Sequence, residues 1–254
     1  MSPGLADGVT EDRLLGGRVR LLQEREGYRA AVDPVLLAAA CPMRPGQSVL
    51  DVGIGPGAAL LALAARLERR GDWRGLEWRP AAADLARRNM ALNELPAAVA
   101  VGDAKRPPFT LDSLDHVITN PPFSAGGTLP ENEGRATAHA EGATDLADWI
   151  KGCLSVLRPR GWLTLIHRAD RLDDVLAALH RQCGAVGIIP LWPRAGEAAR
   201  RVIVRARKGV KSPAVLYPGL VLHGTGPAKY TAEAEAILRD AAPLFPDAPG
   251  GARS

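Results

Sequence analysis

The sequence is short of cysteine. Only Cys41, Cys153 and Cys183 occur in 254 residues, and none stands at metal-ligand spacing from another. That pattern excludes a disulfide framework and a cysteine-based zinc site, and it suits the reducing cytoplasm. No metal is expected. No run approaches the roughly 20 apolar residues that a bilayer span needs. Glu11 and Asp12 precede any apolar run, so neither membrane insertion nor export is expected. Internal repeats and long linkers are also missing. What is present is a 46% hydrophobic chain, enough for one sizeable core with modest extensions.

The net charge of +4 is small but unevenly placed. Arg194, Arg200, Arg201, Arg205, Arg207, Lys208 and Lys211 face the single Glu197 between positions 190 and 211. Such a surplus suits a phosphate backbone, and equally a solvated arginine-rich face.

Local patterns alternate between strand and helix. Residues 1–12 and 243–254 read as frayed ends, Arg18 to Gln23 as a strand, and Asp33 as the cap of a short apolar helix ending before Pro42. Strands are predicted over 48–52, 73–77, 97–101, 114–119 and 161–167, with helices over 58–70, 80–93, 145–157 and 170–182. This alternation implies an α/β fold with right-handed crossovers and a mostly parallel sheet. Two further strands, 186–191 and 201–207, follow with no helix between them, which predicts an antiparallel C-terminal hairpin at a sheet edge.

Asp51-Val52-Gly53-Ile54-Gly55-Pro56-Gly57 stands where the first of the alternating strands turns into a helix. Gly53, Gly55 and Ala58 satisfy a dinucleotide fingerprint, so the loop alone serves a nicotinamide dinucleotide or S-adenosylmethionine. Asp51 would repel a pyrophosphate and favours a ligand carrying a sulfonium and an amino group. Glu77, at the end of the second strand, suits the hydroxyls of a ribose. Asp103, with Ala104 after the third strand, suits the amino group of an adenine. Each acid alone is as readily a helix cap or loop ligand. Their common place at strand carboxyl ends favours a site.

Asn120-Pro121-Pro122-Phe123 follows the fourth strand. An amino group conjugated to a purine or an amide is a weak nucleophile, so a catalyst must localise and aim its lone pair. The Asn120 side-chain oxygen and the Pro121 carbonyl can each accept one N–H of the target. The two prolines stiffen the turn and remove competing donors. Phe123 can stack on a planar substrate, worth about 1 to 3 kcal/mol per base. The competing reading is a strand stop with Phe123 in the core.

With these residues in that order, the chain resembles the class I, Rossmann-like methyltransferases of the small-domain type with an Asn-Pro-Pro-(Phe/Tyr) motif. Among them it is most similar to the bacterial tRNA(Val) adenine-N6-methyltransferase family. Leu14-Leu15-Gly16-Gly17, Gly27-Tyr28-Arg29, Ala138-His139-Ala140-Glu141 and Pro190-Leu191-Trp192-Pro193 carry the finer likeness. The resemblance implies a seven-stranded sheet, S-adenosylmethionine as cofactor, adenine N6 of a tRNA as target, and a cytoplasmic place. It assigns Tyr28, Arg29, Asp51, Gly53, Gly55, Gly57, Glu77, Asp103, Ala104 and Asn120 to the cofactor, and Asn120 to Phe123 to catalysis. The organisation it implies is an N-terminal extension over 1–44 packing on the cofactor site, a catalytic domain over 45–210, and a C-terminal extension over 211–254. Alternatives are an rRNA guanine-N2 enzyme, a protein glutamine-N5 enzyme and, from a different class, a nicotinamide oxidoreductase. Residues 124–143 stand where a substrate-recognition loop would follow the catalytic turn, and Trp149 and Trp162 are assigned to packing.

Overall fold

The chain order is β1 (Val9–Leu14), β2 (Val19–Glu24), α1 (Asp33–Ala40), β3 (Ser48–Val52), α2 (Ala58–Arg66), β4 (Asp72–Glu77), α3 (Pro80–Leu92), β5 (Ala97–Val101) and β6 (Leu114–Thr119). Then come α4 (Leu146–Val156), β7 (Leu157–Arg168), α5 (Leu172–Leu179), β8 (Cys183–Trp192), β9 (Arg201–Lys208), β10 (Val215–Leu216), β11 (Leu220–Val221) and α6 (Ala232–Asp240). The structure, a computed structural model, describes residues 8–25, 32–122 and 146–244.

The sheet runs β5-β4-β3-β6-β7-β9-β8-β10, with β11 also on β8. Strands β3 to β9 are the seven expected, and β10 and β11 extend the edge by two residues each. Pairing is parallel except that β9 lies antiparallel between β7 and β8. The apolar run of β3 is buried because β4 and β6 flank it within the sheet and helices cover both of its faces. Alternate residues sort onto two cores. Val49, Ile118, Ile166 and Ile203 join α1 and α2 on one face. Val52, Val117, Leu165 and Val204 join α4 and α5 on the other.

From β3 the chain winds outward to β5 and then returns to β6 on the other side of β3. The reversal opens a crevice at the carboxyl ends of β3 and β6, where ligands of open α/β sheets bind.

Residues 9–12, expected to fray, belong to β1, which pairs with β2 in an antiparallel hairpin. Arg20 forks onto Glu11 at 2.9 and 2.8 Å, and Gln23 donates to Asp12 at 2.8 Å. Two asparagines, Asn89 of α3 and Asn93 capping its C-terminus, dock this hairpin. Asn93 accepts from the Arg20 N–H and donates to the Arg20 carbonyl, while Asn89 does the same for Leu22. Asp33 is the first residue of α1, not its cap, and accepts from Arg201 Nε at 3.1 Å.

Candidate active site

The glycine loop links the ends of three strands. Gly53, Gly55 and Gly57 have φ of 73°, 52° and 92°, the left-handed region that favours glycine. A side chain on Gly53 would also meet the Trp149 ring at 2.9 Å. Trp149 of α4 therefore does pack, as assigned, but onto the glycine loop. Its Nε1 donates to Thr119 Oγ1 at 2.9 Å, and that hydroxyl donates to the Val52 carbonyl at 2.7 Å. This chain of bonds ties together the ends of β3 and β6, immediately before the glycine loop and the Asn-Pro-Pro turn.

Glu77 closes the second side of the loop. The Gly53 and Ile54 N–H groups donate to the Leu76 carbonyl at 2.8 and 3.0 Å. The buried Glu77 carboxylate accepts from Gly55 N–H at 3.0 Å and from Arg79 N–H at 3.2 Å. Two backbone bonds on two oxygens leave acceptor capacity on each. Asn89 reaches the loop as well, donating to the Pro56 carbonyl at 2.8 Å while it holds β2. Asn89 in α3 and Asn93 at its C-terminal cap stand four residues apart, a spacing visible in the sequence, but nothing local tells which backbone they meet.

Asp51 is 2% exposed, and its Oδ2 has no hydrogen-bond partner among the described residues. Burial pushes it up to about 7, with the Glu77 charge acting in the same direction and the Leu60 backbone opposing.

Asp103 lies on an exposed loop and accepts from the Lys105 N–H at 2.9 Å. Ala104 is buried against α4, where a side chain on Gly152 would fall 1.9 Å from the Ala104 carbonyl oxygen. Asn120 is half-buried with its side-chain oxygen shielded from solvent, Pro121 is buried and Pro122 exposed. The fold thus brings Asp51, the three glycines, Glu77, Asp103, Ala104 and Asn120 to Pro122 to one end of the sheet. Tyr28, Arg29, Phe123 and the 124–143 loop lie outside the described residues.

The model of the methyltransferase small domain family matches residues 31–183, more than half of the chain. The chain belongs to this family. Similar proteins include the tRNA1(Val) (adenine(37)-N6)-methyltransferase of Aeromonas hydrophila, 29% identical over 192 residues that cover 74% of this chain and 80% of the relative. The protein of the same description from Actinobacillus succinogenes is 26% identical over 204 residues, covering 78% and 84%. A crystal structure of a predicted O-methyltransferase from Agrobacterium tumefaciens superposes with a TM-score of 0.68 at 26% identity, covering 81% of this chain and 94% of that one.

This methyltransferase is S-adenosylmethionine-dependent, and the nicotinamide alternative falls away. The residues present fit the cofactor. A buried carboxylate oxygen with no partner suits the cationic end of a methionine moiety, whereas a dinucleotide's pyrophosphate would meet an acid there. No helix among the described residues is long and apolar enough to cross a membrane.

The arginine-rich stretch that suited a phosphate backbone is largely engaged inside the protein. Arg201 pairs with Asp33. Arg205 is 5% exposed and donates to the Tyr217 hydroxyl at 3.3 Å. Lys208 Nζ is held by Asp112 and the carbonyls of Leu154 and Leu157 at 2.6 to 2.8 Å. Arg194, by contrast, is exposed and pairs with Glu197 at the surface.

Proposed function

We propose that the chain methylates the N6 amino group of adenine in RNA, with a cytoplasmic tRNA as substrate. One observation carries the reading: Asn120-Pro121-Pro122 ends β6 directly beside the glycine loop that ends β3, at the reversal of strand order. The names of the relatives from Aeromonas and Actinobacillus support the same choice.

Roles follow from the chemistry of each group. Asp51 holds the cationic end of the cofactor, Glu77 accepts from its ribose hydroxyls, and Asp103 with Ala104 borders its adenine. Gly53, Gly55 and Gly57 let the backbone approach. The family resemblance assigns Tyr28 and Arg29 to the methionine end. When bound, S-adenosylmethionine supplies an electrophilic methyl group. Asn120 Oδ1 and the Pro121 carbonyl each accept one N–H of the target amine, drawing its lone pair out of conjugation and aiming it. Shielding from water strengthens these hydrogen bonds. Both protons stay in place during the attack, and one leaves afterwards. Phe123 stacks on the base.

Incubation with labelled cofactor and separate tRNA, rRNA and protein fractions, followed by nucleoside and amino-acid mass analysis, tests the target. The expected product is N6-methyladenosine from the tRNA fraction. N2-methylguanosine from rRNA, or N5-methylglutamine from protein, would replace the reading with a sibling chemistry on the same turn.

A further inference from the structure

At the opposite end of the sheet lies a cavity of about 810 Å³. Gln47, just before β3, and His116 of β6 line it, whereas the glycine loop follows β3. The five residues of β3 separate the two by roughly 16 Å. The volume is in the range of small-ligand pockets. Its walls come from the end of α1, the second half of α2, the starts of β6 and β7, and β9.

The charge of the lining is one-sided. Arg44, Arg66, Arg158, Arg160, Arg205 and Arg207 line it against a single carboxylate, Asp115. That carboxylate is committed. It pairs with Arg158 at 2.6 Å and accepts from the N–H and hydroxyl of Ser48, both at 2.8 Å. Other guanidinium groups of the cavity bond neutral acceptors. Arg66 donates to the Ala242 carbonyl at 2.7 Å, Arg207 Nε to the Arg160 carbonyl at 3.1 Å, and Arg205 to the Tyr217 hydroxyl. Arg205 and Arg207 also lie 6.0 and 5.2 Å from the centre of the Trp162 ring.

Cations gathered this way repel one another. Burial lowers Arg207, and the charges of Arg160 and Arg158 lower it further. Burial draws Arg66 down to about 10. Arg160 itself sits at φ 65°, a left-handed conformation costly for a residue other than glycine, in the irregular stretch of β7 where its register against β6 shifts. Guanidinium forks match phosphate oxygens two at a time, and a multiply charged anion would offset both the desolvation and the repulsion.

We propose that this arginine-lined cavity is a second, non-catalytic site that binds a run of successive anionic phosphates, either the phosphodiesters of an RNA backbone or a free polyphosphate. It stands apart from the identity of the methyl acceptor, because no residue of the proposed methyl-transfer site lines it.

The test is calorimetric titration of the full chain with tripolyphosphate and, separately, filter binding of an anticodon stem-loop RNA over a series of salt concentrations. Wild type is compared with Arg44→Ala/Arg160→Ala, with Arg160→Glu and with a control, Arg88→Ala/Arg194→Ala, whose exposed side chains lie outside the cavity. Thermal melting and S-adenosylhomocysteine binding report that each variant is folded. Loss of tripolyphosphate affinity by about tenfold or more in both cavity variants, with RNA binding unchanged, identifies a free polyphosphate as the occupant. A salt slope for RNA reduced by about two in the double variant, with weak tripolyphosphate binding throughout, identifies the RNA backbone. Folded cavity variants that match the control with both probes would overturn the proposal.

Discussion

An unfolded chain ionises Asp51 near 3.8, and the folded protein near 7. Between those values the folded state holds a proton that the unfolded state has released, so stability falls as pH rises through that window. The contribution is fully present below about pH 4 and lost above about pH 7. Asp51→Asn removes the dependence. At pH 8 the variant should be more stable than wild type by about 2 to 4 kcal/mol, and at pH 4 the two should melt alike. Urea unfolding at the two pH values measures this, and equal differences at both would refute a buried, protonated carboxylate. If Asp51 holds the cationic end of the cofactor as proposed, binding should release a proton near pH 7, because a cationic ligand favours the ionised form. Titration with S-adenosylmethionine in buffers of different ionisation enthalpy should show that release in wild type and lose it in Asp51→Asn. The sequence placed Asp51, Glu77 and Asp103 at strand ends, because apolar runs mark strands. What it left open was burial: Asp51 is 2% exposed whereas Asp103 is exposed, and a residue's own neighbours in sequence do not decide that.

Elements settle their positions through contacts that span long stretches of chain. Asn89 makes three hydrogen bonds, two to Leu22 and one to Pro56, and so joins α3 to both the N-terminal hairpin and the glycine loop. Asn89→Ala should cost about 2 to 4 kcal/mol, since three backbone groups lose their partner at a buried site. It should also weaken S-adenosylhomocysteine binding, because the loop is anchored through Pro56. Denaturant unfolding and calorimetry check the pair of effects, and a stable variant with unchanged cofactor affinity would show the bridge to be incidental. Seven strands of the main sheet were legible because apolar residues run through them, whereas β10 and β11, two residues each, were too short to register. β1 was not, since Val-Thr-Glu-Asp-Arg-Leu has no apolar face, and its order rests on β2, whose docking comes from Asn89 and Asn93 some 67 to 73 residues further on. The Asn-Pro-Pro turn was legible as a motif, but the bond from Trp149 through Thr119 to Val52 that steadies its strand end needed the fold.

Whole-molecule charge was the least readable property. The sequence counted arginines between 194 and 211 without showing which way they face. On β9, alternate residues put Arg201, Arg205 and Arg207 on one side of the sheet, with Arg201 against α1 and Arg205 beneath Tyr217. Arg201→Ala should therefore leave the salt slope of RNA binding unchanged, because that guanidinium serves Asp33. A slope reduced by about one would return Arg201 to the RNA surface. The larger claim is topological: reversal of strand order brings the ends of β3 and β6 together, with the proposed cofactor loop on one and the proposed amine-orienting turn on the other. Single-turnover methyl transfer by Asn120→Ala, alongside its S-adenosylhomocysteine affinity, tests that most directly. The account predicts a rate lowered by about a hundredfold or more with cofactor affinity within about twofold of wild type. A variant that transfers methyl groups at the wild-type rate would contradict it.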